Sequence, residues 1–260
     1  MVINPEDETI LSEALSFAKK LEVPATALIV EQNKIVPAGP VSSIGGAPSM
    51  PRSAAWPSCK DQRPMVFLAQ INFAEMPPLH SFPGQGIIQF FVKDDDVFGV
   101  FTGEFQVLYH TNLDTLERRS APTINFTPFG HRLHSEGAIL KGSPAAGLPN
   151  FGCWQVDEYI EKLEERTDVS DEAFDALERA FDEARPSTHY FGGHPAFDQG
   201  DVRRSDERDL SAVLFQMGYQ PDDNGWDVCW GDAGQATFLT TENDLLQKDF
   251  TKILYNWDCA

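Results

Sequence analysis

Phe-Leu-Ala-Gln-Ile at residues 67–71 returns 146 residues later as Val-Leu-Phe-Gln-Met at residues 213–217. The apolar run around each copy is too short for a typical helix and lacks polar alternation, which favours a buried strand. Each run carries a glutamine at the same place, and a buried amide needs specific hydrogen-bond partners. The pair therefore indicates one strand-containing unit that the chain uses twice.

Two further pairs of similar segments occur in the same order along the chain and at nearly the same offset. Ile-Gly-Gly-Ala-Pro at 44–48 returns as Phe-Gly-Gly-His-Pro at 191–195, and a strand-like run that Gly86 opens returns at Gly234. Self-similarity at a fixed offset predicts an internal pseudo-twofold duplication. The expected fold class is α+β: a β-rich single domain with an N-terminal helix and an acidic helical insert.

We predict a single domain over residues 1–260, because no Gly/Ser- or Pro-rich linker divides the chain. Repeat unit 1 covers about 41–110, a helical insert about 111–188, and repeat unit 2 about 189–258. The apolar segment near the end of the chain is expected to pack against the fold, since leaving it in water would cost free energy.

Helices are expected at the start of the chain and in the insert. Asn4-Pro5 followed by acidic residues is typical of a helix start, and an apolar stripe at helical spacing follows it. Two more stripes begin near Val156 and after Ser170, and their other faces are rich in Glu and Asp. Those faces indicate a solvated surface, with a recognition surface for a cationic partner as the alternative.

The charge is strongly negative: 40 acidic residues face 20 basic ones, which gives −20 at pH 7. Such a field disfavours nucleic acid and anionic membranes as partners. It fits either simple solubility or attraction to a basic partner. The sequence shows no signal peptide or long apolar span, and its four scattered cysteines fit reduced thiols, so we predict a cytoplasmic protein.

Motifs of known chemistry are missing from the sequence. It contains no Gly-x-Ser-x-Gly elbow, P-loop or dinucleotide fingerprint. The pairs His131/His134 and His189/His194 lack the glutamate of a zincin motif, and no third ligand is placed. We therefore predict no metal and no cofactor, and we recognise no catalytic motif.

Two features stand out as candidate binding elements. Gln70 and Gln216 are either structural amides that bind loop backbone or ligand contacts near the pseudo-twofold axis. The cluster Trp230–Gly234 combines aromatic and carboxylate groups that hold sugars or cations, but it also has the composition of an ordinary tight turn. The structural interpretation is favoured for both.

Taken in order, Gly-Gly-x-Pro, Phe-Leu-Ala-Gln-Ile-Asn-Phe, Gly-Ile-Ile-Gln-Phe-Phe and Trp-Gly-Asp-Ala-Gly resemble the bacterial YwqG-like family. The resemblance runs from about Val41 to Trp257. It implies a cytosolic, β-rich α+β fold with duplicated halves, and it brings no reaction, cofactor or catalytic residue. Gln199 and Asp201 also resemble family positions.

Two functions follow as hypotheses. The first is a non-catalytic acidic binding protein, such as an immunity or inhibitor protein for a basic partner, which needs only an acidic surface. The second is a small-molecule binder or enzyme that uses a cleft between the duplicated halves. The residues predicted to line that cleft are Arg52, Trp56, Gln70, Gln199, Gln216 and Asp232.

Overall fold

The computed structural model describes residues 5–150, 152–166 and 169–259. Within them the strands are β1 (Val23–Glu31), β2 (Ser43–Ile44), β3 (Ser49–Pro51), β4 (Val66–Asn72), β5 (Ile87–Val92), β6 (Phe105–His110), β7 (Leu116–Arg118), β8 (Ala138–Gly147), β9 (His189–Gly192), β10 (Ala212–Met217), β11 (Gln235–Thr240) and β12 (Leu254–Asp258). The helices are α1 (Pro5–Lys19), α2 (His131–Glu136), α3 (Trp154–Glu164), α4 (Asp171–Glu183) and α5 (Glu242–Gln247).

Ten of these strands form one antiparallel sheet in the order β12-β11-β10-β9-β1-β8-β2-β4-β5-β6, and β3 pairs separately with β7. The sheet curls until it is nearly closed. Rings then meet across its two edge strands, with Phe105 of β6 at 5.3 Å from Tyr255 of β12. The predicted β-rich single domain is confirmed.

Apolar residues fill both faces of the curled sheet. The inner face holds the main core, in which the ring of Phe90 lies 5.0 Å from that of Phe215. Helices α1, α3 and α4 cover the outer face of β9, β10 and β11. The loop that contains Trp56 and Cys59 covers the outer face of β4 and β5.

The two runs of strands on either side of β1 and β8 carry the same local features. Each has a register shift, at Leu68 in β4 and at Leu214 in β10. In each run, a glutamine two residues further along binds loop backbone: Gln70 accepts from the Ser49 amide, and Gln216 from the Ala196 amide. These matches have the 146- or 147-residue spacing of the sequence echoes.

The centre of the sheet differs from the expectation for residues 111–188. Helices α3 and α4 lie there as predicted, but the same segment also supplies β8, which pairs with β1 and β2. The segment predicted as a helical insert therefore also contains a strand of the main sheet. Strand β8 lacks a strand-like sequence because it is rich in Gly, Ala and Ser, and a Cβ on Gly142 would lie 2.5 Å from Sδ of Met76.

The other predicted elements occur where expected. Helix α1 ends before Pro24, and the final apolar segment forms the edge strand β12. The predicted N-cap Asn4 lies outside the described residues. In the part of the chain that the structure covers, no helix has the length and apolar character needed to cross a bilayer.

Candidate functional site

A surface groove of about 930 Å³ lies where the loop before β10 meets the starts of α5 and β12. We call it the acidic groove, because five carboxylates line it: Asp206, Glu207, Asp209, Glu242 and Asp244. Lys252 is the one basic side chain among the described residues of its lining. Apolar groups lie between the charges: Phe105, Leu210, Ile253, Leu254 and Tyr255.

The charges of the acidic groove are only partly compensated. Arg204 lies 3.0 Å from Glu207 and 3.5 Å from Asp206, on the exposed surface. Asp209, Glu242 and Asp244 make no ion pair with any residue that the structure describes. Like charges gathered on a partly apolar surface concentrate a negative potential, which attracts cations.

A second recess, the apolar pocket, adjoins the acidic groove and has a volume of about 300 Å³. Ser211 and Glu242 line both, so they mark the boundary between the two. Its apolar walls come from both halves of the sheet and include Pro24, Leu79, Phe82, Ala212 and Leu245. Its polar lining consists of His80, Ser81, Gln155 and His194 besides the two shared residues.

Hydrogen bonds fix the polar wall of the apolar pocket. Nε2 of His194 lies 2.7 Å from the Leu21 carbonyl oxygen and donates to it, which leaves Nδ1 to accept from Nε2 of Gln155 at 3.4 Å. Gln155 in turn faces Arg203, whose guanidinium is fully buried against Asp201 at 2.5 Å. Burial lowers the pKa of His194, so its ring is uncharged at neutral pH.

Backbone conformations at the pocket are also constrained. Ser81 has a φ of 71°, which is unusual for a residue with a side chain, and its hydroxyl donates to Oε1 of Glu242 at 2.8 Å. Gly192 has a φ of 69°, and a Cβ there would lie 2.7 Å from Cδ1 of Leu79. The Gly-Gly-His-Pro motif thus lets the strand end pass close to the pocket wall.

The structure does not bring the six predicted cleft residues together. Arg52 is exposed and pairs with Glu117 at 3.0 Å, while Trp56 donates through Nε1 to the Met65 carbonyl oxygen. Gln199 binds the Cys259 carbonyl oxygen beside a separate recess of about 330 Å³. None of the six lines the acidic groove or the apolar pocket.

Gln70 and Gln216 are buried and have protein partners. Beyond the loop amides, Nε2 of Gln70 donates to the Val41 carbonyl oxygen at 2.7 Å, and Nε2 of Gln216 donates to that of Ala196 at 3.2 Å. The inner face between the two halves is filled by aromatic rings. Hydrogen bonds to backbone groups of the protein fit a structural role for both amides.

Asp232 lies exposed in a tight turn. The Gly234 amide donates to the Trp230 carbonyl oxygen at 2.7 Å, and Gly231 has a φ of 52°. Trp230 itself is fully buried, so its ring is not available to stack on a ligand. The cluster is a turn with a core tryptophan.

Sequence reasoning missed the acidic groove because its carboxylates come from two distant loops. Asp206, Glu207 and Asp209 precede β10, and Glu242 and Asp244 follow β11. Since β10 and β11 are antiparallel neighbours, the start of one lies beside the end of the other. The available signal is that acidic residues stand just before the apolar run at 213–217 and just after the strand-like run that Gly234 opens.

The match to known families covers both repeat units. A family model described as a domain of unknown function, DUF1963, matches residues 42–259. The chain belongs to the DUF1963 family. The whole lining of the acidic groove lies inside this DUF1963 region, as does that of the apolar pocket apart from Val23 and Pro24. The search of curated proteins gave no match.

The titratable groups of this DUF1963 domain do not gather as metal ligands do. Among the residues that the structure describes, no group of three or more His, Cys, Asp or Glu side chains could hold a metal ion. The thiol of Cys153 is fully buried, which raises its pKa to about 12 and keeps it in the unreactive protonated form.

Proposed function

We propose that this protein is a non-catalytic cytoplasmic binding protein of the YwqG-like kind, and that it holds a basic segment of a partner protein in the acidic groove. The observation that carries the proposal is a set of three carboxylates, Asp209, Glu242 and Asp244, that surround an apolar floor and form no ion pair with a described residue. Charged side chains with an apolar stem, Lys and Arg, suit such a surface.

The overall charge supports the same partner. At −20, the protein repels polyanions and attracts cationic proteins over long range, which speeds their encounter. An inhibitor or immunity role against a basic protein needs only such a surface and no reaction chemistry. Association should therefore be fast and should weaken as salt is added.

A labelled hexalysine peptide tests the proposal by fluorescence anisotropy at low salt. The groove variant carries D209N, E242Q and D244N, and E242Q keeps the oxygen that accepts from Ser81. The matched control carries E172Q, D175N and E178Q on the exposed face of α4, which removes the same number of charges.

We expect the groove variant to bind at least about tenfold more weakly, since three partly desolvated charge contacts contribute about 1.5–3 kcal/mol together. The α4 control should change the dissociation constant by less than about twofold. An equal loss in both variants would show that the whole-protein field, and not the acidic groove, binds the peptide. Absence of binding to the wild-type protein would reject the proposal.

The second candidate is a small-molecule site between the two halves. The apolar pocket favours it, because Leu79 and Phe82 come from the first half and Gly192 and Ala212 from the second. Its lining differs from the one predicted from the sequence. A small apolar ligand that binds there without any dependence on salt or on Glu242 would support this candidate.

A further inference from the structure

We propose that the apolar pocket receives one aromatic or large aliphatic side chain of the basic segment that occupies the acidic groove. The inference rests on the proposed function and specifies the partner's sequence: an apolar residue flanked by Lys or Arg. The acidic groove and the apolar pocket are continuous, because Ser211 and Glu242 line both. A segment lying in the groove therefore passes the mouth of the pocket.

The size and walls of the pocket fit such a side chain. Its volume of about 300 Å³ exceeds the roughly 150 Å³ of a cavity that binds benzene. Pro24, Leu79, Phe82, Ala212 and Leu245 supply apolar surface, and none of the described lining residues is Lys or Arg. Burying a large apolar side chain there removes it from water without placing it beside a cation.

The carboxylates near the pocket favour particular residue types on either side of the partner's apolar residue. Glu242 stands at the mouth, exposed, with one carboxylate oxygen held by Ser81 and the other directed to no described protein partner. Asp209 and Asp244 lie in the adjoining groove. A cation next to the buried side chain meets these carboxylates, so charge complementarity favours Lys or Arg on either side.

The pocket is also shaped before any ligand arrives. Arg203 is buried, pairs with Asp201, donates to the Leu210 carbonyl oxygen of the groove and faces Gln155 of the pocket wall. One side chain thus connects the groove to the pocket. Preformed walls reduce the ordering that binding requires, which is typical of anchor pockets at protein interfaces.

The test compares two peptides of equal charge, Lys-Lys-Phe-Lys-Lys-amide and Lys-Lys-Ser-Lys-Lys-amide, by anisotropy at low salt. We expect the phenylalanine peptide to bind wild-type protein at least about tenfold more tightly, the effect of burying one large apolar side chain. Binding of the serine peptide reports on the acidic groove alone.

Two variants alter the pocket. A212L fills it, and L79S replaces part of its apolar wall by a smaller, polar side chain, so one remains informative if the other fails to fold. The matched control is I35S, which replaces an apolar residue that is 93% exposed elsewhere. Both pocket variants should lose the phenylalanine advantage and keep the affinity for the serine peptide, while I35S should keep both.

Each other outcome has a distinct meaning. Equal binding of the two peptides to wild-type protein would overturn the pocket inference and leave the proposed function standing. A phenylalanine advantage that survives in both A212L and L79S would also overturn it, because the ring would dock elsewhere. Failure of both peptides to bind would overturn the proposed function together with the inference.

Discussion

At the scale of single residues, His189 shows how protonation is tied to the folded state. Its ring is buried in β9, with Nε2 at 3.0 Å from Oε1 of Gln220 and Nδ1 without a described hydrogen-bond partner. Nε2 therefore carries the proton and donates, and the ring is neutral. Burial lowers the pKa of His189 to about 4 from an ordinary value of 6.5.

The lowered pKa predicts a loss of stability in mild acid. Between these two pKa values the unfolded state binds the proton and the folded state does not. The contribution of His189 to the free energy of unfolding is therefore complete above pH 6.5 and is lost as the pH drops toward 4. His189 alone should cost about 2 kcal/mol of unfolding free energy between about pH 7.5 and about pH 5. Urea unfolding at those two pH values measures it.

The variant H189Q removes this titration while keeping a polar side chain. Its unfolding free energy should be lower than that of the wild type at neutral pH but should depend less on pH by about 2 kcal/mol. His110, His134 and His194, whose pKa values burial also lowers, still contribute a slope of the same sign. An unchanged slope would mean that His189 is not buried as described.

The residue scale also shows what sequence alone could say about the site. The equivalent places of Gln70 and Gln216 in two apolar runs mark both in the sequence, and in the structure both amides are buried and bound to protein groups. His194 could not be assigned, because its role depends on Gln155 and Leu21, which lie 39 and 173 residues away. Spacing in the chain carries no information about such contacts.

At the scale of elements, the two glutamines tie strands to the loops that carry the glycine pairs. Gln70 in β4 contacts Gln89 in the neighbouring β5, and Gln216 in β10 contacts Gln235 in the neighbouring β11. In each half, two amide side chains bridge adjacent strands, and both also bind the adjoining segment: Gln89 donates to the Ser49 carbonyl oxygen, and Gln235 to the Asp198 carboxylate. Both runs of strands thus use the same device to hold a loop.

Equivalent networks predict equivalent costs. Q70M and Q216M keep the side-chain volume but leave backbone groups without partners: the Ser49 amide and the Val41 carbonyl in Q70M, and the Ala196 amide and carbonyl in Q216M. Each should lower the unfolding free energy by about 2–4 kcal/mol, and the two should agree within about 1 kcal/mol. Chemical denaturation measures both.

The exposed strand residue Gln106 provides the control, since Q106M should change stability by less than about 0.5 kcal/mol. A cost for Q70M several times that of Q216M would argue against matching networks in the two halves.

Some strands and helices can be predicted from their sequence patterns, and others cannot. Strands β4, β5 and β10 are almost wholly buried, so continuous apolar runs mark them. Helix α4 shows a strong apolar stripe and an acidic face. Strand β8 has neither signal, because Gly, Ala, Ser and Pro make up most of it, and it lies beneath a loop that contains Met76 and Pro77. Tertiary packing, not local propensity, makes it a strand.

At the scale of the whole molecule, the two halves share one inner core. The ring of Phe90 in the first half lies 5.0 Å from that of Phe215 and 4.9 Å from that of Phe238 in the second. Neither half can bury its inner face alone. The repeat units are therefore expected to fold as one cooperative body, and their boundaries at 41–110 and 189–258 stay predictions.

Cooperativity is testable by comparing probes. Circular dichroism reports on the sheet, and tryptophan fluorescence reports on five rings, three of which, Trp226, Trp230 and Trp257, belong to the second half. Both should follow the same urea transition, and F90A should shift both equally, with a loss of about 3–5 kcal/mol. Two separated transitions, or a shift in only one probe, would contradict a shared core.

The placement of β8 beside β1 fixes when the protein can fold during its synthesis. Residues 23–31 pair with residues 139–147, and the short strand β2 is held between β8 and β4. A nascent chain that has emerged only through β6 still lacks the strand that joins its first four-stranded run to β1. The ribosome must therefore release well over half of the chain before the sheet acquires its centre.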